Sequence, residues 1–350
     1  MKNIAVLFGG KSSEYEVSLS SAYGVLSNID RTAFNVAMIG ITREGKWYLY
    51  EGDLEAIRRN TWCGGSLPEV RINMTTGTLC AVTDGAEREI PCDGVFAVLH
   101  GACGEDGTMQ GLFAVSGIPV VGCGCTASAV CMDKALTKAI ISMETDIPMA
   151  KMVVAHKGTT DSIDALREKC ERALGGYPMF VKPACSGSSV GASKVRAAED
   201  FASAVAVAFA EGEKIMIEEC ITGSEIELAV LEEKGQYTVS QPAEIDLGGS
   251  EFYDYDTKYV SDASSFFIPA RLSAADSEKA RTYALEIFKA LECRGLSRVD
   301  FFHTPDGRIV FNEINTIPGF TPISMYPRLM IHSGISYSEL ITRLLNGALN

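Results

Sequence analysis

Residues 297–320, SRVDFFHTPDGRIVFNEINTIPGF, constrain the fold more than any other part of the chain. Two β-rich runs flank Thr304-Pro305-Asp306-Gly307, a turn sequence in which proline presets one φ and glycine accepts a positive one. The reading is a hairpin. With its mirror point between Asp306 and Gly307, Asp300 falls opposite Glu313. Period-two alternation puts Arg298 and Asp300 on one face of the first strand, and Glu313 and Asn315 on the same face of the second.

Directly opposed carboxylates repel each other, so the arrangement makes sense with a divalent cation between them. Oxygen donors from Asp300, Glu313 and Asn315 suit Mg²⁺, with water and a phosphate completing the shell. A charged face turned to solvent is the plainer explanation of an isolated Asp/Glu pair. Here Val299, Phe301, Val310 and Ile314 imply that the opposite face is buried, and the rigid corner Pro318-Gly319 follows at once.

An anionic ligand at such a site needs local cations, because 31 Lys and Arg against 45 Asp and Glu leave a formal charge of -14. The same charge repels a nucleic-acid backbone, so no nucleic-acid partner is expected. The segment FVKPACSGSSVGASK supplies what is needed: a strand delivers Lys182 to a loop holding Gly187, Ser188, Ser189 and Gly191. Glycines let backbone N–H groups turn toward phosphate and hydroxyls add donors, although an ordinary Gly/Ser turn has the same composition. Two other nucleotide motifs fail. Gly10-Lys11-Ser12 resembles the end of a P-loop, but Ala5 stands where its first glycine belongs, and no G-x-G-x-x-G follows the first strand. Instead Lys134, Lys182, Glu218 and Glu225 are spaced as though separate elements clasp a ligand between domains.

A chain of 350 residues fits two or three domains. The apolar runs 3–8, 35–41, 94–99 and 118–121, with helix-compatible stretches between them, predict a Rossmann-like parallel α/β domain over residues 1–122. Residues 51–90 read as an irregular polar insertion. A helix over 128–145, the strand and loop PMFVKPACSGSSVG and a helix ending at Gly212 predict a small domain over 123–213. The remainder, 214–350, reads as α+β, with a helix that Ser273 and Asp276 start and that buries Ala280, Ala284, Ile287 and Leu291. No apolar run approaches the roughly 18 residues of a membrane span. Eleven scattered cysteines read as reduced thiols, and a cytoplasmic location is expected.

In order along nearly the whole chain, GGKSSEYEVSLSSA, LHGACGEDGTMQG, CMDKALTK, VKPACSGSSVGASKV, IEECITGSEIE, FYDYDTKYVSD, SRVDFF and NEINTIPGFTPISMYP resemble the D-alanine:D-alanine ligases. The resemblance implies an ATP-grasp fold behind the N-terminal domain, and a homodimer that joins two D-alanines with ATP for peptidoglycan precursors. Lys134, Lys182, Ser189, Glu218, Ile221, Glu225 and Lys258 would contact the nucleotide. Asp300, Glu313 and Asn315 would hold two Mg²⁺ ions, which Mn²⁺ can replace; the hairpin argument reaches the same three residues. Glu14 would anchor the ammonium of the first D-alanine, with His100 close by. Arg298 and the Gly319 N–H would stabilise a tetrahedral oxyanion, and Ser188, Tyr259 and Glu14 would form a link that closes a loop over the site. Without the resemblance, Glu14 reads as a helix N-terminal acid and His100 as a cap on a strand end.

The second substrate would lie at Ser324 and Met325. Relatives that make D-alanyl-D-lactate lack the tyrosine-bearing loop present here as Lys258-Tyr259, and D-serine-using relatives often carry arginine where Met325 stands. D-alanine is therefore the expected acceptor. D-serine is the alternative, because GITREGKWYLYEGDLEAIRRNTW is similar to the D-serine group. A bicarbonate-activating carboxylase would have no reason to keep Glu14, Ser188 and Tyr259, and a non-enzymatic binding module would need neither the carboxylate hairpin nor Lys182.

Overall fold

A computed structural model describes residues 1–158, 162–187, 189–246 and 265–349; Ser188, Lys258 and Tyr259 lie outside them. The first unit runs β1 (Lys2–Gly9), α1 (Tyr15–Asn28), β2 (Phe34–Ile41), β3 (Trp47–Tyr50), α2 (Leu54–Arg58), β4 (Glu69–Asn73), β5 (Thr78–Thr83), β6 (Ala86–Ile90), β7 (Gly94–Ala97) and α3 (Thr108–Ser116). The unbroken apolar run of β1 suits a strand covered on both faces, and β1 pairs in parallel with β2 and β7. The expected fourth run, 118–121, adds only a bridge from Val120 to Val95.

Residues 51–90 are more regular than their composition suggests. Strands β4 to β6 extend the sheet antiparallel, in the order β6-β5-β4-β3-β2-β1-β7. Val70, Leu79, Ala81 and Ile90 are buried while most of their neighbours are polar. A strand covered on one face needs few apolar residues, which is why the segment reads as polar.

The second unit comprises α4 (Cys125–Met132), α5 (Lys134–Glu144), β8 (Met152–His156), α6 (Ile163–Leu174), β9 (Met179–Pro183), β10 (Ser193–Val195), α7 (Ala198–Glu211) and β11 (Lys214–Glu219). Its four strands lie in the order β10-β9-β11-β8, all antiparallel. The single helix expected over 128–145 is two, because Asp133 ends α4 and its carboxylate caps α5 by accepting from the Ala135 and Leu136 N–H groups.

The third unit contains β12 (Ser224–Glu233), β13 (Gln236–Val239), β14 (Ala243–Asp246), β15 (Ser265–Phe267), α8 (Ala274–Ala290), β16 (Leu296–His303), β17 (Ile309–Asn315), α9 (Met325–His332) and α10 (Tyr337–Ala348). Strands β15, β14, β12, β16 and β17 lie side by side, and β13 pairs with β12. Ile226, Leu228, Val299, Phe301 and Ile314 bury one sheet face against Ala280, Ala284, Ile287 and Phe288 of α8, whose Ser273 caps the helix by accepting from the Asp276 N–H. Helices α9 and α10 turn the other way: Leu329, Met330, Leu340 and Leu344 pack with Ile4, Val6, Phe8 and Leu19 of the first unit. Among the described residues no helix is long and apolar enough to cross a membrane.

The hairpin forms with a correction. Near the turn its pairing centres on Asp306: Thr304 and Arg308 bond each other, Gly307 takes φ +79°, and Phe301 lies opposite Phe311. A β-bulge beside Asp300 then shifts the register by one, so that Asp300 faces Glu313 and Arg298 faces Asn315. The turn-proximal register places Val310 opposite Phe302, where it is buried but outside the cluster of Val299 and Phe301.

Candidate active site

Two cavities, of about 340 Å³ and about 860 Å³, share Lys134, Ser186 and Glu313 in their walls. The smaller lies between the second and third sheets and is walled by Lys138, Lys182, Ser189, Glu218, Ile221, Glu225 and Phe302, among others. The larger opens toward the first unit, where Glu14, His100, Arg298, Asn315, Gly319, Ser324 and Met325 meet. Asp300 lines neither. It is fully buried beneath Arg298.

In the smaller cavity the cations of β9 and α5 converge on one carboxylate. Lys182 Nζ lies 2.6 Å from Glu218 Oε2, and Lys138 Nζ donates to Glu218 Oε1. Burial alone would raise the Glu218 carboxyl, but Lys138 and Lys182 hold it at about 2. Lys138 was absent from the sequence reading, although KALTK places it four residues after Lys134 on one helix face. Because Glu218 is depressed from 4.5, its stabilising contribution is complete above about pH 4.5 and is lost as pH falls toward about 2. Glu218→Gln should therefore lose stability at neutral pH, and its urea midpoint should fall less than the wild type's between about pH 5 and pH 3. Equal falls would show that Glu218 is not the group being titrated.

At the junction Lys134 Nζ donates to the Ser186 carbonyl at 2.7 Å and lies 3.3 Å from Glu313 Oε2. Arg298 grips both oxygens of Asp300, Nε at 2.8 Å and a terminal nitrogen at 2.7 Å, and its Nε is 3.2 Å from Glu227. Asn315 donates to the same Asp300 carboxylate at 3.2 Å. The protein's own cations thus supply part of the compensation that opposed carboxylates demand: Arg298 for Asp300 and Lys134 for Glu313. Glu227 was also missed; Ser-Glu-Ile-Glu at the head of β12 puts it on the same face as Glu225 by period two, opposite Asp300. Carboxylate oxygens of Glu225, Glu227 and Asp300 come within 4.8 Å of one another. With Glu313 and Asn315 this is an all-oxygen donor set that fits a hard divalent cation.

Toward the first unit, Glu14 sits at the N-cap of α1 without capping it. Its carboxylate reaches between two loops: a Cβ on Gly101, φ +72°, would stand 2.6 Å from Oε2, and one on Gly187 of the Lys182 loop 3.2 Å from it. His100 is buried. Its Nδ1 lies 3.1 Å from the Ile317 carbonyl, which can only accept, so Nδ1 carries the proton and Nε2 is left to accept from Ser21 at 3.0 Å when the ring is neutral. Ser21 Oγ in turn accepts from the Phe320 N–H, which ties the Gly319 loop to α1. Ser324 stands at the N-cap position of α9 without capping it; its hydroxyl accepts from the Thr321 N–H and bonds the Thr321 hydroxyl, and Met325 is buried beside it.

Two sheets that enclose a cleft, with cations on one and a carboxylate hairpin on the other, are the ATP-grasp architecture of the structural neighbours, and the family matched by the chain makes it an ATP-dependent ligase that forms a peptide bond. Within that class the chain belongs to the D-ala D-ala ligase family, whose N-terminal model matches residues 3–123 and whose C-terminal model matches residues 141–346. The D-alanine--D-alanine ligase of Caldicellulosiruptor bescii is 46% identical over 349 residues, 99% of this chain and 94% of that one. Among solved structures, the VanG D-Ala:D-Ser ligase from Enterococcus faecalis superposes with a TM-score of 0.90 at 42% identity, covering 100% of this chain and 99% of that one. The D-alanine-D-alanine ligase from Coxiella burnetii gives 0.85 at 32% identity, covering 100% and 95%. Membership implies ATP and a divalent metal.

Proposed function

We propose that the enzyme joins two D-alanine molecules through a D-alanyl phosphate, with ATP in the smaller cavity and both amino acids in the larger. The observation that carries this reading is the meeting of the two cavities at Lys134, Ser186 and Glu313, where a γ-phosphate and a carboxylate can come together. Lys134 and Lys182 bind the phosphates with Ser189; Glu218, Ile221, Glu225 and Lys258 hold the rest of the nucleotide. Asp300, Glu313 and Asn315 hold Mg²⁺, two ions replaceable by Mn²⁺, which neutralise phosphate charge when bound.

Glu14 pairs with the ammonium of the first D-alanine beside His100. A carboxylate oxygen of that D-alanine takes the γ-phosphoryl group and ADP leaves. The neutral amine of the second D-alanine, seated at Ser324 and Met325, attacks the acyl carbon. Arg298 and the Gly319 N–H stabilise the resulting oxyanion, phosphate departs, and the nitrogen loses a proton. Ser188 and Tyr259 link with Glu14 to keep water from the acyl phosphate. The working unit is a cytoplasmic homodimer that supplies peptidoglycan precursors.

The likeness to the D-Ala:D-Ser ligase favours a second reading, D-serine as acceptor. Met325 argues against it, since a thioether gives a hydroxyl little to bond. An apolar pocket rejects an added hydroxyl only modestly, so turnover should favour D-alanine over D-serine by roughly 10- to 100-fold. A competition assay that returned mainly D-alanyl-D-serine would overturn the assignment.

A further inference from the structure

Helix α1 carries Ser18 and Ser21 one turn apart on its inner face, both fully buried. Alanine at either position would favour the helix more and leave no hydroxyl to desolvate, so what these side chains contribute is their hydrogen bonds. Both reach out of the helix. Ser18 Oγ accepts from the Gly9 N–H at 2.9 Å and donates to the Val98 carbonyl, which fixes α1 against β1 and against the strand end that leads to His100. Ser21 therefore stands on a rigid base.

From that base Ser21 closes a circuit around the corner Pro318-Gly319. The Phe320 N–H donates to Ser21 Oγ at 3.2 Å, and with the imidazole neutral the Ser21 hydroxyl donates to His100 Nε2 at 3.0 Å. His100 Nδ1–H then donates to the Ile317 carbonyl at 3.1 Å. Both ends of the corner are thus tethered to one pair of side chains, with Gly319 between the tethers. The Tyr337 hydroxyl steadies the far end by donating to the Phe320 carbonyl. Ile317, Pro318, Gly319 and His100 line the larger cavity, whereas Ser21 lines neither cavity. Its influence on the reaction runs through the groups it bonds.

We infer that Ser21 is a positioning residue for the second step of the reaction: with His100 it holds the 317–320 corner so that the Gly319 N–H is in place before the tetrahedral oxyanion forms. The inference rests on the proposed role of Gly319 as an oxyanion donor. A donor that must be reoriented while charge develops loses much of its effect, and a displacement of about 1 Å is worth on the order of 100-fold in rate. Phosphoryl transfer to the first D-alanine creates no tetrahedral carbon and does not draw on this donor. Loss of the Ser21 hydroxyl should consequently divide the two steps.

The steps are timed separately with ATP that carries heavy oxygen in its β–γ bridge. Each time D-alanyl phosphate forms and reverts, the label scrambles within the β-phosphate, so this exchange in the presence of D-alanine reports phosphoryl transfer alone. In Ser21→Ala the kcat for dipeptide formation should fall roughly 10- to 100-fold, while the exchange rate and the KM for ATP stay within about threefold of the wild type. Its melting temperature should stay within about 5 °C, because alanine suits the helix. Ser21→Cys, close in shape but a weak hydrogen-bonding group, should show the same division and carries the test if the alanine variant does not fold. A folded variant with kcat within about twofold of the wild type overturns the inference. So does a fall in exchange and ligation by the same factor, which is what a general loss of packing produces. If the wild type shows neither exchange nor dipeptide, the proposed function itself falls.

Discussion

Glu313→Gln should lower the rate of ADP formation by on the order of 1000-fold while leaving the fold intact. Glu313 stands where the two cavities join, 3.3 Å from Lys134, so the substitution removes a charge at the point where phosphoryl transfer is proposed. Glutamine keeps the size of the side chain and the backbone pairing with Asp300. The apolar packing lies on the other side of the strand, through Phe311 and Ile314, and is untouched. A melting temperature within a few degrees of the wild type, together with the lost rate, is the expected pair of results. A variant that keeps more than about a tenth of the activity would remove Glu313 from the phosphoryl-transfer machinery.

Arg298 carries the other large effect, and two substitutions separate its roles. Methionine removes the charge and strands Asp300, which is fully buried, so unfolding free energy should fall by about 3–5 kcal/mol. Lysine keeps a positive charge near Asp300 and Glu227 but has no planar fork, so it should cost less stability. It should still lower kcat by roughly 100-fold, because a point charge already held by two carboxylates is poorly placed for an oxyanion. Urea titration and steady-state assays on both variants check this. An Arg298→Lys enzyme with normal kcat would limit Arg298 to holding Asp300.

What the sequence made legible follows from how local each feature is. The hairpin could be read because its turn and its alternating faces lie within 24 residues. Its bulge could not, since no residue type marks it, and the Asp300–Glu313 pairing came out right because the bulge offsets a turn centred half a residue earlier than expected. Lys138 and Glu227 follow Lys134 and Glu225 by one helical turn and one strand period, but residue type alone does not separate them from ordinary solvated charges. The break at Asp133 was hidden by helix-compatible residues on both sides, and only the carboxylate's bonds to two N–H groups reveal it. The approach of Glu14 to Gly187 has no local signal at all, because the two are held together only by the assembled units. The family resemblance implied a link from Glu14 to Ser188, the next residue, which lies outside the described residues.

Helices α9 and α10, near one end of the chain, complete the hydrophobic core begun by β1 and α1 at the other. The chain is consequently stitched end to end, and an evolutionary swap of its first 123 residues with those of a relative would leave mismatched halves of one core. Ala229, Leu231 and Leu296 of the third sheet join the same core, so a crossover anywhere between the two extremities divides it, whereas point substitutions leave it whole.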